Sequence, residues 1–116
     1  MQMDVTPLGE HLVKVRINGR LDTPSVDQLE TRFTAALVPG RNSAVVDLSE
    51  VDFIASMGIR MLVSTAQALR KSNAILAVYG AGERVSQVFE AASLHRVFPI
   101  CASEAEALAA VTPAAG

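Results

Sequence analysis

Apolar and polar residues alternate through Leu12-Val13-Lys14-Val15-Arg16-Ile17, the period of a half-buried strand. Met1 to Thr6 reads as a short edge strand before it. Pro7-Leu8-Gly9 is then the turn, so the chain should begin with an antiparallel hairpin. Asn18-Gly19 is a second turn signal. Thr23 followed by Pro24 has the form of a helix N-cap and first helical residue, where a missing N–H does no harm. Val26, Leu29, Phe33, Ala36 and Leu37 then fall on one helical face, and Pro39-Gly40 ends the helix.

The stretch from Ala44 to Leu69 organises the rest. Ala44 to Leu48 is a valine-rich run suited to a strand buried on both faces. Ile59, Leu62, Val63, Ala66 and Leu69 recur at the offsets that line one side of a helix. Between them, Ile54-Ala55-Ser56-Met57-Gly58 converts an extended segment into a helix, with Ser56 placed as the N-cap. The first turn of a helix has free N–H groups and favours negative charge, including phosphate. Ser56 is therefore either a plain cap or a position where phosphate can be added and tolerated. Gly58, in that first turn, leaves room for another backbone to approach, and the junction has the character of a contact surface.

Lys71-Ser72-Asn73 closes this helix with basic charge near its negative end. Ala74 to Tyr79 is another apolar run of strand length, ended by Gly80-Ala81-Gly82. A short helix should follow from about Glu83, with Val85, Val88, Phe89 and Ala92 on one side, then a last short strand over Val97 to Ile100. Ser103-Glu104-Ala105-Glu106 has the capping-box spacing and opens an alanine-rich helix through Leu108 and Val111. Residues 112–116 read as a flexible tail. The order β-β-α-β-α-β-α-β-α predicts an α/β fold, with right-handed crossovers and a mostly parallel sheet made mixed by the hairpin. It implies four to five strands and about four helices.

A chain of 116 residues accommodates one domain, here expected over 1–111. Half the residues are hydrophobic, enough for a sizeable core. The net charge of −2 speaks against direct nucleic-acid binding, which calls for a basic stripe. The only cysteine, Cys101, cannot form an internal disulfide, which fits a reducing cytoplasm. The N-terminal residues lack the basic and apolar regions of a signal peptide, and no stretch approaches the roughly 20 apolar residues of a membrane span.

Candidate chemistry is sparse. His11 and His95 lie far apart without neighbouring cysteines, so no metal site is expected. Cys101 reads as a small hydrophobe. Gly80-Ala81-Gly82 lacks both the third glycine of a dinucleotide fingerprint and the lysine of a phosphate-binding loop. Asp47 and Asp52 flank the valine-rich strand without a partner base. Ser56 lies outside a G-x-S-x-G pattern and has no motivated histidine. The expectation is a protein without catalytic residues or cofactor.

Val46-Asp47-Leu48-Ser49-Glu50-Val51-Asp52-Phe53-Ile54-Ala55-Ser56-Met57-Gly58 resembles the signature of the STAS domain (sulfate transporter and anti-sigma factor antagonist). Ile17-Asn18-Gly19-Arg20-Leu21-Asp22 is similar to the family's second strand and G-x-L-D turn. Gly82 to Leu94, with Ser93, Leu94 and Phe98, is similar to its glycine-led helix near the C-terminus. The resemblance implies a single STAS-like domain and an anti-sigma factor antagonist that works by partner switching. Its partner would be an anti-sigma factor with serine kinase activity, bound when Ser56 is unphosphorylated and released when Ser56 is phosphorylated, and a PP2C-type phosphatase would reset the cycle. Asp22, Thr23, Ser56, Met57, Gly58 and Arg60 are the expected partner contacts. Ala55 stands where phosphorylated members commonly carry Asp, and Met57 where a small residue is usual. Those departures bear on an alternative: a non-catalytic STAS scaffold subunit of a lipid transporter or a stress-signalling assembly. Oligomeric state is left open.

Overall fold

The computed structural model describes residues 2–112. The chain runs β1 (Gln2–Gly9), β2 (Leu12–Leu21), α1 (Thr23–Leu37), β3 (Ser43–Ile54), α2 (Ser56–Arg70), β4 (Leu76–Tyr79), α3 (Glu83–Ala91), a 3-10 turn (Leu94–Arg96), β5 (Ile100–Cys101) and α4 (Glu104–Val111). The strands lie in the order β1-β2-β3-β4-β5. The first pair is antiparallel and the others parallel, which is the mixed five-stranded sheet and four-helix α/β fold expected.

Alternation along the strands sorts the sheet's two faces. Val13, Val15, Ile17, Ala44, Val46, Leu48, Leu76 and Val78 face a main core closed by α1, α2 and α3. Val26, Leu29, Phe33 and Leu37 of α1 enter that core, as do Met61, Leu62, Ala66 and Leu69 of α2. Ile59 and Val63, expected on the same α2 face, are half-buried and pack at its edge. Phe89 meets Phe98 edge-to-face with ring centroids 6.0 Å apart, fixing the end of α3 against the segment that leads to β5. On the other face, Val45, Ala77 and Tyr79 pack against Ala107 and Val111 of α4.

Several boundaries differ from the sequence reading. The hairpin turns at Glu10-His11, beyond Pro7-Leu8-Gly9, and β1 keeps Pro7 at the open edge of the sheet. Asn18-Gly19 is not a turn. β2 continues through it with register shifts, and Gly19 takes φ +120°, the signature of a bulge. β4 begins at Leu76, two residues later than read, and β5 falls at Ile100–Cys101 because Leu94–Arg96 forms a 3-10 turn first. Ser103 caps α4, accepting from the Glu106 N–H at 3.2 Å, while Glu106 accepts from Ala102 N–H, one residue upstream of the usual capping-box donor. Of the tail, only Thr112 lies within the described residues, its N–H bonded to the Leu108 carbonyl at 3.0 Å.

α4 is fastened by a polar cluster. Lys14 Nζ lies 2.7 Å from Glu104 Oε1, which also accepts from the Tyr79 hydroxyl at 3.0 Å. The Lys14 bond, then the Tyr79 bond, hold the Glu104 carboxyl below its ordinary value. Burial and the bond to Glu104 push Tyr79 up to about 12. A depressed carboxyl contributes stability above its unfolded pKa, and this is lost as pH falls through the folded value. Glu104→Gln should therefore weaken the fold at neutral pH but flatten its stability loss below about pH 4.5, the ordinary glutamate value. Urea unfolding of both proteins at pH 7 and in acid checks this. Parallel acid profiles would exclude the carboxylate's role.

Candidate functional site

The site lies at the carboxyl ends of β2 and β3, where two helices begin side by side. Leu21 pairs with Ile54 at the end of the ladder. Each strand then breaks into a helix within two residues, so the Asp22-Thr23 and Ala55-Ser56 turns are neighbours. The Ala55 N–H donates to the Leu21 carbonyl at 2.9 Å and ties the turns together.

Both caps differ from the sequence reading by one residue. At α1 the N-cap is Asp22, not Thr23: Asp22 is extended and its Oδ1 accepts from the Ser25 N–H at 3.1 Å. The Ser25 hydroxyl and backbone N–H, aided by Arg20, hold the Asp22 carboxyl below its usual range. Thr23 is the exposed first helical residue. At α2 the N-cap is Ala55, not Ser56. Ala55 has φ −94° and ψ 171°, and its carbonyl accepts from Gly58 and Ile59 N–H at 2.9 and 3.1 Å. The helix thus starts its hydrogen bonding one residue earlier than read, and the cap has no side-chain acceptor.

This shift changes what Ser56 is. It is the exposed first residue of α2, and its hydroxyl does not cap the helix. The backbone N–H groups of Ser56 and Met57 have no protein partner among the described residues. The first turn also carries no acidic side chain to offset the positive end of the helix. Anionic character at the Ser56 oxygen is therefore electrostatically welcome.

Met57 is half-buried against the core and Gly58 is buried. A Cβ on Gly58 would lie 2.9 Å from Ile54 Cγ1, 3.1 Å from Leu21 Cβ and 3.2 Å from the Leu21 carbonyl oxygen. The glycine thus serves internal packing of α2 onto the two strand ends, and not the approach of an outside backbone. Arg60 is exposed about one turn further along α2 and makes no ion pair among the described residues. The structure accordingly brings Asp22, Thr23 and Ser56 to one rim with Arg60 on the adjoining helix, and places Met57 and Gly58 behind it.

Two further residues of this rim escaped the sequence reading. β3 extends to Ile54, well beyond Leu48, while its pairing with β4 ends at Asp47–Tyr79. Its last part pairs with β2 alone and leaves Phe53 exposed. Arg20 lies opposite Phe53 in the ladder, with its guanidinium carbon 4.3 Å from the ring centroid and its Nε 3.7 Å from Asp22 Oδ2. In the sequence Phe53 stands beside Ile54 and Val51 and reads like a core residue, and only the register discloses its arginine.

Asp47 and Asp52 do not converge. Asp47 is buried and accepts from the Ser49 N–H at 2.9 Å, whereas Asp52 is exposed. His11 and His95 are exposed, and Cys101 is half-buried in β5. No helix of the described residues is long and apolar enough to cross a membrane.

The STAS domain family model matches residues 3–107. BtrV of Bordetella bronchiseptica is 30% identical over 94 residues, 81% of each chain. The anti-sigma-B factor antagonist of Staphylococcus aureus is 28% identical over 89 residues, 77% of this chain and 82% of the relative. In fold, the chain resembles the Bacillus cell fate determinant SpoIIAA in its phosphorylated form (TM-score 0.67, 18% identity, 93% of this chain and 97% of that one). The match over 3–107 shows that the chain belongs to the STAS domain family, among relatives that include anti-sigma factor antagonists.

Proposed function

We propose that this protein is a cytoplasmic anti-sigma factor antagonist that works by partner switching, with Ser56 as its phosphate acceptor. The observation that carries the reading is the uncapped start of α2. Ser56 stands exposed at the first helical position, beside unpaired N–H groups and a positive helix end without acidic neighbours. Phosphate there adds about −1.5 to −2 charges at a place that accommodates them without altering the fold. A partner surface fitted to a neutral hydroxyl must instead desolvate or repel that charge.

In this reading the partner is an anti-sigma factor with serine kinase activity. It docks on the rim formed by Asp22, Thr23, Ser56 and Arg60, supported from behind by Met57 and Gly58. A PP2C-type phosphatase restores the binding form. The protein itself performs no catalysis. The S. aureus relative, by its name, antagonises an anti-sigma-B factor, which supports the same class of role here.

The test is competition. Purified serine-kinase anti-sigma factors of the source organism, each loaded with its sigma factor, are titrated with this protein without ATP. One of them should release its sigma factor stoichiometrically. Failure to displace sigma from any of them would overturn the reading.

A further inference from the structure

We propose that the Arg20–Phe53 stack is the anchor of the partner surface, extending it from the Ser56 rim onto the exposed ribbon of β2 and β3. The inference rests on the partner-switching reading above and adds residues and partner chemistry to it. Phe53 is 38% exposed, and Leu21 and Ile54, the next residues on each strand, are buried in the core. The stack therefore points away from the core side. It lies two residues before Asp22 and three before Ser56, so a protein covering that rim meets it.

Its composition fits an anchor. Aromatic and arginine side chains dominate the residues that carry binding energy at protein interfaces. Arg20 lies over the ring, which holds the guanidinium in place before a partner arrives and lowers the ordering cost of binding. Its contact with Asp22 is a long one between partly exposed groups, the Arg20 side chain being 58% exposed and that of Asp22 35%. Donors on the guanidinium thus stay available. The occupant that fits is a protein surface with an apolar side chain for the Phe53 ring beside a carboxylate that takes the guanidinium as a fork. On the exposed part of the ribbon Arg16 is already paired to Glu50 at 3.5 Å, and Arg20 is the second arginine. With Arg16 engaged by Glu50, Arg20 is the arginine of this ribbon left to receive a partner carboxylate, which makes it the determinant of register.

The test uses the full chain and the purified anti-sigma factor kinase whose sigma factor it displaces, by calorimetric titration without ATP. Phe53→Ala and Arg20→Glu should each weaken binding at least tenfold, and Arg20→Lys should recover only part of the loss. Thermal unfolding of the free variants close to that of wild type separates lost contact from lost fold. Should Phe53→Ala prove unstable, Phe53→Leu with Arg20→Glu carries the test. Wild-type affinity in both Arg20→Glu and the Phe53 variant, while Ser56→Asp still weakens binding, overturns the anchor and leaves partner switching intact. Absence of wild-type binding to every such kinase overturns both.

Discussion

Replacing Ser56 with Asp should lower affinity for the anti-sigma factor kinase by roughly 30- to 150-fold, about 2–3 kcal/mol, while leaving the free protein as stable as wild type or slightly more so. The two effects share one cause. Ser56 is the first residue of α2, whose initial N–H groups are unpaired and whose first turn has no acidic side chain. A carboxylate there interacts favourably with the helix end, typically by 0.3–1 kcal/mol at an exposed site. In the proposed complex the rim faces the partner, and the same charge must be desolvated there. Binding and stability should thus move in opposite directions, which a merely unfolded variant cannot imitate. Ser56→Ala removes only an exposed hydroxyl that caps nothing, so its affinity should stay within about threefold of wild type. Titration calorimetry and urea unfolding of the three proteins check both halves. An Asp variant that binds like wild type would remove the electrostatic switch.

Gly58→Val should cost about 3 kcal/mol of fold stability, the upper part of the usual range for overpacking. The new side chain would start 2.9 Å from Ile54 Cγ1 and 3.2 Å from the Leu21 carbonyl oxygen. Ile54 is 5% exposed and Leu21 fully buried, so neither can swing away into solvent. The Leu21 carbonyl is also committed to the Ala55 N–H, the bond that joins the two turns of the site. Relief must come from lifting α2 off the strand ends, which would displace Ser56 as well. Gly58→Ala places the same Cβ against Ile54 and Leu21, so it should also destabilise, but less than Val, because no γ-carbons are added and up to about 1 kcal/mol of helix propensity is regained. Urea denaturation of both variants gives the comparison. A Val variant as stable as wild type would mean that α2 is not seated this closely on β2 and β3.

Much of this fold could be read from periodicity. The alternation at Leu12–Ile17 and the helical spacing of Val26, Leu29, Phe33 and Leu37 each correspond to a face that the structure buries. Such patterns survive because burial demands them at every turn. Boundaries fared worse where burial stops. Ser49, Glu50 and Asp52 break the apolar pattern of β3, since β4 has ended and only β2 remains to pair with. Asn18-Gly19 has turn chemistry, but here the glycine supplies a positive φ for a bulge inside a strand.

The site was partly legible for the same reason. The Ser56 junction was visible as a change from an extended run to helical spacing. The cap assignments at Thr23 and Ser56 followed side-chain preference, whereas the backbone places the caps at Asp22 and Ala55, where the ladder's last pair lets each chain turn. At Asp22 a second good cap residue wins by one position. At Ala55 no side chain competes at all, and this is why Ser56 is free for another role. Arg20 and Phe53 could not be joined from the sequence, because they meet only through a parallel ladder whose register is shifted at Gly19.

The central claim is that Ser56 is the acceptor of a regulatory phosphate. It is tested most directly by intact mass of the full chain after incubation with ATP and its anti-sigma factor kinase, with Ser56→Ala treated in parallel. The account predicts a gain of one phosphate in the wild type and none in the variant. No gain in the wild type, while the same kinase preparation phosphorylates a control antagonist, would contradict it, as would an equal gain in Ser56→Ala.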